Sequence, residues 1–190
     1  NVETIVHLAG RAHVMRENAR DPFAEFRKTN RDGTVCLARC AIASGVRRLV
    51  FISSIKVNGE ASDNPFNSSS PAMPQDPYAI SKFEAEQALA SLPSELEIVI
   101  FRPPLVYGPN VRGNFIRLIK LVERGIPLPL ASVTNRRSFV GLTNLVDAIC
   151  WGVKAQPGLY FPSDRQDQST ADLIRKIAES LNRSARLFPM

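Results

Sequence analysis

Two short apolar runs, Thr4–Leu8 (TIVHL) and Arg48–Ile52 (RLVFI), each stop at small or polar residues, Ala9-Gly10 and Ser53-Ser54. Continuous apolar runs of this length, bounded by turn residues, predict strands buried on both faces, as in a parallel sheet. A third run, Glu97–Phe101 (EIVIF), precedes Arg102-Pro103-Pro104 and predicts another strand of the same kind. Between the first two, Gly33–Ser44 carries Val35, Leu37, Ala38, Ala41 and Ile42 at helical spacing and stops at Gly45. Before the third, Asp76 can cap a helix, Pro77 suits its first turn, and Tyr78–Leu92 continues the helical period. Strands alternating with helices in this way predict an α/β fold with a doubly wound parallel sheet in three layers.

After Gly108-Pro109 the pattern changes. Asn114–Arg124, Leu145–Val153 and Ser169–Leu181 predict helices, the last with Ser169 and Asp172 at capping-box spacing. Ile126–Leu130 (IPLPL) can form only an edge or irregular strand. The expected division is therefore residues 1–109 for the sheet domain and 110–190 for a smaller C-terminal lobe. Elements around 139–154 are expected to return to the sheet. Gly59–Gln75, rich in Pro, Ser and Asn, has no period; structureless loops longer than about 12–15 residues are usually functional lids or disordered.

Composition narrows the class. With 44% hydrophobic and 22% charged residues, 10 Gly and 14 Pro in 190, the chain is globular, which excludes collagen-like, mucin-like and wholly disordered readings. No run of about 18 apolar residues is present, so no membrane-spanning helix is expected. Three cysteines without C-x-x-C spacing and only two histidines predict neither a disulfide scaffold nor a metal site, and point to a reducing cytoplasm. The net charge of +6 raises nucleic acid as a partner. The arginines are scattered, however, without basic–aromatic alternation, so no nucleic acid partner is expected. A small polyanion such as a nucleotide diphosphate needs only a few arginines and fits as well.

In sheets of this type ligands bind beyond the carboxyl ends of the strands. Ala9-Gly10, Ser53-Ser54 and Arg102–Pro109 fall there. Tyr78 lies in the first turn of its helix, and Lys82 follows one turn later on the same face. Such a pair can do acid–base work on an alcohol or ketone. A phenol with pKa near 10 is only about 0.1% ionised at pH 7, and bringing it to neutrality takes about 4 kcal/mol. An ammonium beside it is expected to supply part of that. Ser54 could then hold the reacting oxygen for proton transfer. Cys36 and Cys40, one turn apart, read as small core residues, and His7 as a satisfied core histidine. Arg11 and His13 could line a ligand groove, whereas Glu84 and Glu86 read as the wet face of their helix.

The order of these motifs carries more than Tyr-x-x-x-Lys alone. VHLAG (6–10), NRDGT (30–34), FISSIKVNG (51–59), YAISK (78–82), RPPLVYGP (102–109) and RSFVGLTNLVD (137–147) follow one another along most of the chain. Together they resemble the extended short-chain dehydrogenase/reductases that act on nucleotide sugars, the NAD-dependent epimerase/dehydratase family. Within that family they look most like the branch of bacterial UDP-sugar 4-epimerases and their relatives in surface-polysaccharide synthesis. The resemblance implies a Rossmann-type fold with Ser54, Tyr78 and Lys82 as catalytic residues. It implies cofactor contacts from Leu8, Ala9, Gly10, Asn30, Ser53, Tyr78, Lys82 and Pro103. It implies substrate contacts from Ser54, Asn114, Phe115 and Arg137, the last on the diphosphate, with one of Arg136 and Arg137 expected to be buried; Lys56, next to the active serine, is a further candidate substrate contact.

The resemblance further implies NAD as cofactor, with NADP not excluded, a UDP-sugar substrate and a homodimer. It implies that the glycine-rich loop and first strands of the fold are missing from this chain, so the stretch by itself is expected to be inactive. Ile55 and Lys56 replace the Asp-Glu of sugar dehydratases, which disfavours dehydration. The expected function is C4 epimerisation of a UDP-hexose. A 4-ketoreductase of a UDP-4-keto-6-deoxy-hexose is the alternative within the fold, and a non-catalytic dinucleotide-sensing protein the alternative of another class.

Overall fold

The computed structural model describes residues 2–12, 19–92, 95–111 and 113–189. The chain forms two compact units: Asn1–Pro104 with Asn144–Pro162, and Leu105–Thr143 with Ser163–Met190.

The first unit is built on a four-stranded, all-parallel sheet in the order β1-β2-β3-β6. Its strands are β1 (Thr4–His7), β2 (Arg48–Ile52), β3 (Glu97–Phe101) and β6 (Gly158–Tyr160). Helix α1 (Pro22–Phe26) is capped by Asp21, whose carboxylate accepts from the Ala24 amide at 3.0 Å. It runs through a π-helical turn, Arg27–Asp32, into α2 (Gly33–Ala43). Helix α3 (Pro77–Ala90) starts at the predicted cap, with the Asp76 carboxylate 2.7 Å from the Ala79 amide.

Side-chain alternation along β2 sorts the layers. Leu49 and Phe51 pack with Ala38 and Ala41 of α2 and Ala85 and Leu89 of α3. Val50 joins Val99 and Phe101 of β3 on the opposite face, against Ala148 of α5 (Leu142–Gly152) and Tyr160. Helices therefore cover both faces, the three-layer arrangement expected. Alanines on α2 and α3 let the helices approach the sheet closely. Each large apolar side chain so buried contributes about 1.5–3 kcal/mol. Gly152 serves the same purpose opposite: a Cβ there would stand 2.6 Å from Phe101 Cε2.

The second unit pairs β4 (Leu105–Tyr107) with β5 (Phe139–Gly141) in parallel. It packs α4 (Asn114–Glu123) on α6 (Thr170–Ser180) through Val122, Ile174, Ile177 and Ala178. Ser169 caps α6, accepting from the Asp172 amide at 3.0 Å. Within Ile126–Leu130 only a single parallel bridge forms, Leu128 to Leu187.

Several expectations differ from this structure. The division falls at Leu105 rather than after residue 109, because β4 pairs with β5. The returning segment is 144–162 rather than 139–154. Cys36 and Cys40 are exposed; α2 buries Thr34, Ala38 and Ala41 instead. The 59–75 segment is neither a free lid nor structureless. The Asn58 amide donates to the Ser70 and Pro71 carbonyls at 3.2 and 3.3 Å, and the Met73 amide donates to the Val57 carbonyl at 2.9 Å. His13 lies outside the described residues.

Candidate active site

Because β1, β2 and β3 are parallel, their carboxyl ends deliver Leu8-Ala9-Gly10, Ser53-Ser54 and Arg102-Pro103 to one edge of the sheet. Leu8, Ala9 and Gly10 are exposed there, while Ser53, Ser54 and Pro103 are buried. Helix α3 passes the same edge with Tyr78 in its first turn and Lys82 one turn on.

Tyr78 is half-buried, with the Phe26 ring edge-on at 6.2 Å. Burial pushes its phenol above the ordinary value; a hydrogen bond with Ser54 pulls it down, Asp76 pushes it up and Lys56 pulls it down. The net direction is upward. The Lys82 ammonium donates to the Ile52 carbonyl at 2.9 Å and sits 4.7 Å above the Phe51 ring. Burial lowers Lys82 to about 8, against the opposing field of Glu86.

Asn30, fully buried in the π turn, ties three elements together. Its carboxamide oxygen accepts from the Arg11 amide at 2.7 Å, and its nitrogen donates to the Arg11 carbonyl at 3.1 Å and to Ser81 Oγ at 2.9 Å. Ser81 in turn donates to the Tyr78 carbonyl at 2.8 Å. The Thr34 hydroxyl donates to the Asn30 carbonyl at 2.6 Å, so His7 Nε2, 2.9 Å away, must donate to Thr34. Burial, and then Lys82, push the His7 imidazole below its usual range. Gly10 closes this corner: a Cβ there would lie 3.1 Å from Lys82 Nζ and 3.3 Å from Asn30 Oδ1. A side chain at position 10 would therefore crowd Lys82 and Asn30.

A family profile, NAD dependent epimerase/dehydratase, matches residues 1–159. The chain belongs to that family. UDP-glucose 4-epimerase of Vibrio cholerae is 45% identical over 198 aligned positions, covering 100% of this chain and 60% of that protein. The DesIV double mutant of Streptomyces venezuelae, a dTDP-glucose 4,6-dehydratase with NAD and DAU bound, superposes with a TM-score of 0.80. It is 26% identical over 100% of this chain and 61% of its own. MoeE5, in complex with UDP-glucose and NAD, has the same TM-score, 0.80, at 26% identity over 99% of this chain and 65% of its own. The chain thus spans about three-fifths of the length of the relatives it matches. Its sheet is of the Rossmann type found in these epimerases and dehydratases.

Against that epimerase/dehydratase frame, the first unit brings together Ser53, Ser54, Tyr78, Lys82, Asn30, Gly10 and Pro103. Lys56 lies in the single turn after Ser54, but its ammonium is taken by carboxylates, 2.8 Å from Glu60 Oε1 and 2.6 Å from Asp76 Oδ2. Asn114, Phe115 and Arg137 belong to the second unit. Asn114 is exposed at the start of α4, and the Phe115 ring stacks 6.3 Å from Tyr107. Arg137 pairs its backbone with Gln168 and leaves its side chain exposed, and Arg136 is exposed beside it, so neither is buried as expected, because that bridge lies at the surface.

Sequence reasoning missed a buried network. Glu86, read as facing water, is buried with Arg102, their side chains 7% and 6% exposed. Arg102 Nε donates to Glu86 Oε1 at 3.0 Å and Nη1 to Asn58 Oδ1 at 2.9 Å. The Ser53 hydroxyl also donates to Glu86. One signal was available: Glu86 stands one turn beyond Lys82 on the same helix face.

Proposed function

We propose that the protein is an NAD-dependent nucleotide-sugar 4-epimerase acting on a UDP-hexose, with Ser54, Tyr78 and Lys82 as its catalytic residues. The observation that carries this reading is the convergence of Ser54, Tyr78 and Lys82 beside the glycine-backed strand ends, in a chain 45% identical to a UDP-glucose 4-epimerase.

The donors present fit a nicotinamide dinucleotide. The exposed backbone of Leu8, Ala9 and Gly10, which packs directly on Lys82 and Asn30 at Gly10, would hold it with Ser53 and Pro103. A bound nicotinamide would supply reversible hydride exchange with C4 of the sugar. Ser54 holds the C4 oxygen by a hydrogen bond. Tyr78 takes the hydroxyl proton from that oxygen and later gives it back. Lys82 adds a positive charge along the cofactor edge, and Asn30 fixes the helix that carries both. No carboxylate follows Ser54 at positions 55 or 56, so the acid–base pair for expelling water from the sugar is not supplied there. Asn114, Phe115 and Arg137 of the second unit are substrate contacts on this reading. It extends to a homodimer through the outer faces of α2 and α3, and to the cytoplasm, where Cys36, Cys40 and Cys150 persist as free thiols. Among the described residues no helix is long and apolar enough to cross a membrane.

The test is interconversion of UDP-glucose and UDP-galactose by the full-length protein, wild type and Tyr78→Phe. Loss of a general base is expected to lower turnover by about 10²-fold or more. Turnover of Tyr78→Phe within a few-fold of wild type would remove the assignment, and a wild type that only consumes reduced cofactor on a 4-keto sugar would replace epimerase by reductase.

A further inference from the structure

We propose that Glu86 is a positioning residue: with Arg102 it clamps the segment that follows β2, so that Ser54 is held in one place against α3. The inference rests on the reading of Ser54 and Tyr78 as catalytic.

The need for a clamp follows from where Ser54 runs. It stands between the end of β2 and the turn Ile55–Val57, beyond the ladder that fixes Ile52. Its hydroxyl accepts from the Lys56 amide at 3.3 Å, so its place follows the backbone of that turn. Proton transfer requires the acting groups within hydrogen-bond reach of one oxygen, and Tyr78 belongs to a different element, α3. The spacing of the two elements must therefore be set by contacts between them.

Glu86 makes such a contact from the buried side. It lies about two turns beyond Tyr78 on the same helix. Its carboxylate takes three donors: Arg102 through Nε at 3.0 Å and through Nη2, and Ser53 through its hydroxyl. An ionised carboxylate has lone pairs for all three, whereas a glutamine oxygen has two. Arg102 carries the grip across the turn, with Nη1 donating to Asn58 Oδ1 at 2.9 Å. Ser53 and Asn58 stand on either side of the Ser54 turn and are 3% and 2% exposed. The main chain ties the same stretch to the end of β3, from the Ser53 amide to the Phe101 carbonyl at 2.7 Å and from the Ile55 amide to the Pro103 carbonyl at 3.0 Å. On the helix side, Lys82 holds the Ile52 carbonyl at 2.9 Å, and Lys56 reaches Asp76 at the surface.

Apolar side chains would fill the space of a buried ion pair as well. What this pair adds is a single arrangement, because its two spare bonding directions are used by Ser53 and Asn58, the residues that bracket Ser54. The Ser53 hydroxyl is spent on Glu86, so Ser53 meets a cofactor through its main chain.

Removing Glu86 would also strand the Arg102 charge, so the test loosens the clamp at its ends in the full-length protein. Ser53→Ala leaves Glu86 paired with Arg102, and Asn58→Ala frees the far side. Hydrogen exchange reads the clamp without turnover: amides in 53–59 should exchange faster in both variants, while those of α3 keep their rates. In the epimerisation of UDP-glucose, Ser53→Ala is expected to lower kcat about tenfold by misplacing Ser54, with KM within about twofold of wild type. In a Ser54→Ala background the same change should cost nothing further, because a residue acting through that hydroxyl has no effect once it is gone. A residue that only holds the fold would lower both backgrounds alike. Full additivity, unchanged exchange, or faster exchange with an unchanged kcat would each overturn the proposal, as would a raised KM alone, which would make Ser53 a ligand contact. If Asn58→Ala does not fold, Ser53→Ala decides. Ser54→Ala with wild-type turnover would instead remove the catalytic reading itself, and the exchange rates would show that failure to be separate from a failure of the clamp.

Discussion

Replacing Glu86 by glutamine removes one charge from a pair that water scarcely reaches. Arg102 and Glu86 expose 6% and 7% of their side chains, so solvent screening does little to soften the loss. Glutamine keeps the volume and one acceptor, and Arg102 keeps its bond to Asn58; what disappears is the compensating charge. Removing one member of a buried pair costs about 3–5 kcal/mol, a large share of the ~5–15 kcal/mol that holds a typical domain folded. For a chain of this size that corresponds to a melting point lower by about 6–20 °C. Urea unfolding followed by Trp151 fluorescence reads this unit directly, because the single tryptophan sits edge-on to Tyr160 at 5.0 Å. Glu86→Gln/Arg102→Met should recover most of the loss, since apolar replacement of both partners is often neutral. A single variant within about 1 kcal/mol of wild type, or a double variant no better than the single, would refute the reasoning.

Lys82→Met should abolish turnover yet stabilise the protein at pH 7. Lys82 is lowered to about 8 in the folded state against an ordinary value near 10.4. Between those values the unfolded chain holds the proton and the folded one does not, so stability rises with pH across that window. The methionine variant should lack that rise, gaining up to about 3 kcal/mol below pH 8. Denaturant midpoints from pH 7 to 10 test it, and parallel curves for the two proteins would contradict it. Gly152→Ala should cost about 1–3 kcal/mol by overpacking, because its Cβ would meet Phe101 at 2.6 Å. Gly152→Ala with an unchanged thermal midpoint would show that the Phe101 ring can give way.

The parts of the fold written in local pattern were legible. β2 and β3 are unbroken apolar runs, and α3 announces itself by Asp76-Pro77. The same Asp-Pro signal at Asp21-Pro22 marks α1 and went unused, because no apolar period follows it. β4, β5 and β6 are three residues each, too short for any periodicity, and exist only because a partner strand is in place. In the site, Tyr78 and Lys82 stood out by spacing and Ser54 by its place at the end of a strand. Asp76 was visible as a cap but not as a charge on the phenol. Glu86 looked solvated because its partner Arg102 lies on another element, and burial of an ion pair is decided by the packing of both. Cys36 and Cys40 show the reverse: apolar residue types at helical spacing that the adjacent alanines displaced from the core.

The π turn has a consequence for how this helix can change. A π turn is one surplus residue carried by an otherwise ordinary helix, here closed by the Gly33 amide reaching back to the Lys28 carbonyl. Losing one residue from 27 to 32 would let the helix heal into a regular α-helix, which is the easier local structure, and because the surplus is absorbed within the turn the flanks would stay in phase. Phe26 would still meet α3, and Ala38 and Ala41 would still meet the sheet. What would go is the seat of Asn30, with its bonds to Arg11 and Ser81. The surplus residue thus serves the site and not the fold: a one-codon loss here would leave the layers standing and the helix improved, and would undo only the corner beside Tyr78 and Lys82.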